Sequence, residues 1–228
     1  MSNMYEFADT WNPLCGECIH KCNYCYVDKM KERFPVLNKK YSGKHRLDFG
    51  KSGMQKNLSS GKLWFVESMS DLFAKNVPSE LIIKIFEYCH KFPNNEYFFQ
   101  SKNPKRFEEF TLYFPEKTIL CTTIETNRNY NFLHSRYCPT TLERMLDIHR
   151  SFITHAKEHI TIEPIMDFDL GEMITMMQVI NPIQINIGAD SGNNHLPEPP
   201  KEKILKLITE LKKFTTVHQK DNLRRLLK

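Results

Sequence analysis

Several strand-length segments of this 228-residue chain are polar on one face and apolar on the other. Side chains of a strand alternate between two faces. Gln100 and Lys102 therefore share a face of one segment, Cys121, Thr123 and Glu125 of the next, then Thr161 with Glu163, and Gln184 with Asn186. Opposite them lie Phe99, Leu120, Ile124, Ile160, Ile162, Ile185 and Ile187. A flat parallel sheet covered by helices on both sides reads apolar on both faces. A barrel or partial barrel, with helices outside and a polar interior, fits the pattern better.

The candidate strands are Met4–Ala8, Lys62–Glu67, Glu96–Ser101, Lys117–Glu125, His159–Ile165 and Ile183–Gly188. Helix-like stretches separate most of them: Ser79–Lys91, Thr140–His155, Leu170–Val179 and Glu202–Phe214, with a last turn or frayed tail at Asn222–Leu227. Strands alternating with helices indicate a parallel α/β sheet. Several polar groups fall near C-terminal strand ends, where barrel enzymes place their sites. Any one of them can equally be a satisfied core polar group.

The length suits one domain over residues 1–228. Hydrophobic residues at 40% and charged residues at 26% indicate a globular chain. No apolar run is long enough for a bilayer, and the N-terminus lacks the layout of a secretion signal, so a cytoplasmic protein without a membrane partner is expected. Thiols there stay reduced. The net charge of +5 permits contact with phosphates without establishing it. Residues 31–61, rich in Lys and Gly, read as a long basic loop insertion, either a binding loop or a solvated connector.

Four of the seven cysteines fall in Cys15-Gly-Glu-Cys18-Ile-His-Lys-Cys22-Asn-Tyr-Cys25. A zinc site usually uses two Cys-x-x-Cys hooks set well apart, and this loop is short for wrapping a tetrahedron. A redox dithiol needs only Cys22 and Cys25 and leaves two thiols idle. An iron–sulfur cluster takes thiolates from one compact loop, and Cys18, Cys22 and Cys25 supply three, leaving one iron open. Cys89, Cys121 and Cys138 are scattered and are expected to be small buried side chains.

At these residues the chain resembles the radical S-adenosylmethionine (SAM) superfamily. Its motif, C-x3-C-x-aromatic-C, is matched by Cys18, Cys22, Tyr24 and Cys25. Thr10-Trp11-Asn12-Pro13, Ser68–Phe73, Ser101–Pro104, Glu163-Pro164 and Gly188–Gly192 resemble a phage-associated radical SAM-like family of unknown function. In that family six residues can separate the first cysteine from the second, as they separate Cys15 from Cys22 here. Cys18 has the usual superfamily spacing and is the expected ligand. Cys15 is then a spare ligand, a redox partner or a buried thiol.

The resemblance implies a partial (β/α)6 barrel, a [4Fe-4S] cluster and SAM, with reductive SAM cleavage followed by hydrogen abstraction from a substrate. It also implies a reducing electron donor such as flavodoxin or ferredoxin. Ser68, Ser70 and Asp71 occupy the place that holds SAM's amine, or else cap a helix. Lys102 is the candidate cation for the carboxylate, or a surface lysine. Glu125, with Thr123, is the ribose candidate, and Glu163 can face the same mouth. The backbone at Ala189 is expected to line the adenine pocket. Tyr26 can cover the cluster. A nucleic acid base or nucleotide is the expected substrate. A peptide, a small metabolite, or a non-catalytic role with a structural metal are the alternatives.

Overall fold

The structure is a computed structural model that describes residues 8–149, 153 and 155–228. Among the described residues nine strands run in chain order: β1 (Asp9–Trp11), β2 (Leu14–Cys15), β3 (Arg46–Leu47), β4 (Leu63–Val66), β5 (Glu96–Gln100), β6 (Thr118–Thr123), β7 (Lys157–Ile162), β8 (Gln184–Ile187) and β9 (Thr216–Gln219). The helices are α1 (Tyr26–Arg33), α2 (Pro35–Lys40), α3 (Ser79–Cys89), α4 (Thr141–His149), α5 (Leu170–Ile180) and α6 (Lys201–Leu211).

Seven strands form one parallel sheet in the order β1-β4-β5-β6-β7-β8-β9. Each strand thus lies beside its successor, as in a β/α barrel. Among the described residues β1 and β9 do not pair with each other, so the barrel is open. Register runs from Trp11 opposite Val66, through Val66–Phe99 and Phe99–Leu120, to Ile162–Ile187 and Ile187–Gln219.

The two-faced strand pattern has its cause in this architecture. Phe99, Leu120, Ile160, Ile162, Ile185 and Ile187 join one core with Ile82, Phe86, Ile148, Met173 and Leu207 of the covering helices. The inner face is closed at its lower part by a small apolar set, Phe65, Phe98, Ile119 and Cys121. Above it stand Gln100, Thr123 and Glu163, which line an open cavity at the C-terminal strand ends.

Phe73 anchors the connection after β4. Its ring lies 4.8 Å from Phe107 and 5.9 Å from Phe114, and it also meets Phe86, Phe99 and Phe110. Burying a phenyl ring contributes about 1.5–3 kcal/mol. This anchor fixes Ser68–Asp71 just upstream.

Among the described residues the first strand is Asp9–Trp11, and residues 4–7 of the expected strand Met4–Ala8 lie outside the described residues. β9 was not legible, because its residues are half-buried or exposed and form no apolar run. Residues 31–61 are not simply a loop. Pro35 opens α2 at a position that favours proline. β3 pairs antiparallel with β2. The Trp11 indole donates to Gly53 O at 2.9 Å, and Leu47 and Leu58 are buried. The expected helix Thr140–His155 is described as α4 only to His149, and residues 150–152 and 154 lie outside the described set. It opens with a capping box: Thr140 N donates to Glu143 Oε2 at 2.7 Å and Glu143 N to Thr140 Oγ1 at 3.2 Å.

Candidate functional site

A cavity of about 760 Å³ opens at the C-terminal ends of the strands, and Cys18, Cys22 and Cys25 all line it. Cys15 does not. It is buried in β2, with Lys40, Arg46 and Glu67 in electrostatic reach. The loop between them is pinned by its neighbours. Cys25 N donates to Cys22 O at 3.0 Å, and Asn23 N to Leu133 O at 2.9 Å. Ser135 donates through its hydroxyl to Ile19 O at 2.6 Å and through its N–H to His20 O at 2.8 Å. The connection from β6 to α4 therefore clamps the cysteine loop in place.

Burial pushes the Cys18 thiol well above its usual range and the Cys22 thiol up to about 11, so both are protonated at neutral pH. A metal centre bound there must displace those protons. Among the described residues no three Cys, His, Asp or Glu side chains are spaced to hold a single ion. What the geometry gives is three thiols on the wall of one cavity.

Asp71 is the hub behind this loop. Its Oδ2 meets His20 Nε2 at 2.9 Å and accepts Lys102 N at 2.8 Å, while Oδ1 accepts the Ser101 hydroxyl at 2.8 Å and Phe73 N at 2.9 Å. Burial opposes its charge, yet His20 and these donors hold its carboxyl below the ordinary range. With these contacts to the chain, Asp71 ties the cysteine loop to the ends of β4 and β5. It does not cap a helix, since α3 begins only at Ser79. Ser68 donates to Asn12 Oδ1 at 3.1 Å, and the buried Ser70 hydroxyl has no partner among the described residues. Both serines line the cavity.

Lys102 also lines it, with Nζ 5.3 Å from the centre of the Tyr24 ring. Burial disfavours its charge, but Cys22 and Glu125 outweigh this and push it up to about 12, so it stays cationic. Glu125 lies elsewhere than expected. It is fully buried and absent from the cavity wall. Its carboxylate pairs with Arg144 at 3.0 Å and His134 at 3.1 Å and accepts the Tyr24 hydroxyl. A ribose contact by Glu125 is thus corrected: Tyr24 covers it. Cys138, expected to be buried, is only partly so. It is in electrostatic reach of Cys22, Lys102, Glu125 and Arg144, and burial pushes its thiol up to about 12. Cys89 and Cys121 are buried as expected.

On the opposite wall, Glu163 pairs with Lys220 Nζ at 2.6 Å and accepts Asn222 Nδ2 at 2.8 Å. Asn222 also bridges Ala189, donating to its O at 2.9 Å and accepting from its N at 3.2 Å. Glu163 packs so closely on Gly188 that a Cβ there would stand 2.6 Å from Oε1, so any side chain at 188 would have to push Glu163 aside. Thr123 Oγ1 accepts Gln100 Nε2 at 2.9 Å. Tyr26 donates to Ser68 O at 2.5 Å and is 41% exposed, so it is a rim residue, not a core one. The segment after β9, read as a last helical turn or a frayed tail, is a 3₁₀ helix over Asp221–Leu226 whose start is part of the wall. Asn222→Ala should cost roughly 1–3 kcal/mol, because it takes the partner from the Ala189 amide and from Glu163 Oε1, leaving Glu163 only its pair with Lys220. Urea unfolding checks this, and an unchanged midpoint would show the contacts to be idle.

Glu67 was also missed, although it shares a face with Phe65 and ends β4. Its backbone is left-handed, with φ 63. Oε2 accepts Leu14 N at 2.9 Å, and Oε1 is buried on the cavity wall without a partner among the described residues. Burial pushes its carboxyl up to about 8. A raised folded pKa gives stability that is full below the ordinary value of 4.5 and is lost as pH rises through about 8. The chain should therefore be less stable at pH 8 than at pH 5, and Glu67→Gln should remove most of that difference. Equal slopes in both proteins would exclude Glu67 as its source.

An open parallel β/α barrel with a thiol-bearing loop at its mouth defines the class of protein. The chain belongs to a family described as a protein of unknown function (DUF5131), whose profile matches residues 2–199. No functionally curated protein matches it. Among solved structures it is similar to a spore photoproduct lyase mutant with bound AdoMet and dinucleoside spore photoproduct, at 10% identity and a TM-score of 0.67, over 96% of this chain and 78% of that one. It is likewise similar to spore photoproduct lyase complexed with dinucleoside spore photoproduct, at 10% identity and a TM-score of 0.66, with the same coverage. At such identities the likeness is one of fold. No helix of the described residues is long and apolar enough to cross a membrane.

Proposed function

We propose that this protein is a radical SAM enzyme whose [4Fe-4S] cluster is held by Cys18, Cys22 and Cys25. The observation that carries the reading is the convergence of these three thiols on one cavity that also holds the Lys102 ammonium, with Cys15 turned out of it. A cluster and SAM held there would supply one-electron radical chemistry, with hydrogen abstraction from the substrate as its outcome.

The chain's own groups bind and orient. Lys102 is the cation for SAM's carboxylate. Ser68, Ser70 and Glu67 offer oxygens to its ammonium, and an ammonium beside Glu67 would favour the ionised carboxylate. Glu163, Thr123 and the backbone at Ala189 form the wall for the nucleoside part. Tyr24 and Asp71 hold the loop from behind. A reduced flavodoxin or ferredoxin is the electron donor.

The substrate in this reading is a nucleic acid base or nucleotide. A cavity of about 760 Å³ has room for small-ligand parts. The fold likeness to a lyase solved with a dinucleoside supports the same class. The test is anaerobic reconstitution followed by reduction with SAM present. Formation of 5′-deoxyadenosine is expected. A protein that takes up iron and sulfide but neither binds nor cleaves SAM would overturn the reading.

A further inference from the structure

We infer that the face built by α1, α2 and the β2–β3 ribbon binds the phosphodiester backbone of a nucleic-acid strand beside the cavity mouth. This rests on the nucleotide-substrate reading above. Residues 29–51 hold eight Lys or Arg and two Asp or Glu, a net +6 against +5 for the whole chain. The rest of the molecule is therefore close to neutral, and the positive charge is local.

Much of this charge is unspent. Lys31 pairs with Glu17 and Asp28, and Lys40 with Asp48. Arg33, Lys39, Lys44, Arg46 and Lys51 are exposed and have no ion-pair partner among the described residues. The face is also held in shape. Gly16 N donates to Lys40 O at 3.0 Å, Glu17 N to Gly43 O at 3.0 Å and Asp48 N to Pro13 O at 2.7 Å. Cations fixed on a stiff frame collect phosphates and release their counterions.

Position and composition favour a nucleic acid over other anions. α1 borders the cavity through Tyr26, Asp28 and Lys31, and Lys29 Nζ reaches Gly192 O at 2.6 Å in the connection after β8. α1 is thus one side of the rim that a strand with one unit in the cavity would cross. Phe34 and Phe49, 38% and 67% exposed, stand in the same segment, and exposed rings among cations stack unpaired bases. The base entering the cavity must be out of a duplex, so a single strand is the fitting probe.

The experiment measures anisotropy of labelled single-stranded DNA and RNA oligonucleotides with the reconstituted full chain, from about 50 to 200 mM salt. Binding that weakens steeply with salt is expected. The triple variant Lys39→Gln, Lys44→Gln and Arg46→Gln should bind at least about tenfold more weakly and lose about 2 from the log–log salt slope, roughly 0.7 per cation. Its thermal midpoint, read in parallel, should match wild type. No wild-type binding, salt-insensitive binding, or wild-type affinity in the variant would overturn the inference. So would patch-dependent binding to phosphatidylserine vesicles without binding to oligonucleotides. Formation of 5′-deoxyadenosine by wild type without oligonucleotide separates the two readings. SAM cleavage without oligonucleotide binding sinks only the docking face. Patch-dependent oligonucleotide binding without SAM cleavage sinks the chemistry and leaves the face standing.

Discussion

Cys18→Ala is expected to abolish both cluster formation and SAM cleavage, while Cys15→Ala leaves both within a few-fold of wild type. The two thiols are three residues apart, and spacing alone serves either. They differ in what surrounds them. Cys18 faces the cavity with Cys22 and Cys25. Cys15 is committed to the ribbon, where its residue pairs with Arg46 and its carbonyl oxygen lies 3.1 Å from His45 Nδ1. To reach the cavity it would have to break the β2–β3 pairing, and Gly16 leaves no slack, because a Cβ there would sit 2.6 Å from the His45 ring. Iron and sulfide counts with absorption spectra read the cluster, and 5′-deoxyadenosine reads the chemistry. Cluster loss in Cys15→Ala with retention in Cys18→Ala would reverse the assignment.

Arg144→Met should destabilise the protein by about 3–5 kcal/mol, since it strands Glu125 as a buried charge. Arg144 and Glu125 are both fully buried, and the guanidinium also donates to Thr123 O. Adding Glu125→Gln should recover part of the loss, because the two residues act as one unit. Burial opposes the Glu125 charge, but Arg144 and His134 outweigh it and hold its carboxyl well below its ordinary 4.5. A depressed folded pKa gives stability that is present above 4.5 and lost as pH falls below it. Wild type should therefore weaken on acidification below about pH 4.5, and the double variant less so. Urea unfolding at neutral and acid pH measures both. A single variant as stable as wild type would show that the pair contributes nothing.

The sheet was legible because burial imposes a two-residue period, and Phe99, Leu120 and Ile160 could satisfy it only as an outer face. The cysteine loop was legible from spacing. Glu125 was misplaced because alternation gives a face but not an occupant: it does face inward, and Tyr24 gets there first. Its partner Arg144 comes from a helix, where nothing marks it apart from a surface arginine. Asn222 and Lys220 were hidden because β9, which delivers them, is a half-exposed edge strand without an apolar signature. The order in residues 31–61 was missed because it rests on single pins such as Trp11 to Gly53.

That Lys220 and Asn222 complete the wall opposite the cysteines bears on how the protein is made. The thiols leave the ribosome early, and almost the whole barrel must follow before Glu163 and Ala189 acquire their partners. Until then the loop is an exposed, oxidisable set of thiols with no shelter. Under the reading proposed above, loading of a metal centre would follow synthesis, and a translation stall within the last strand would leave a chain with all three thiols but no enclosed place for a cofactor.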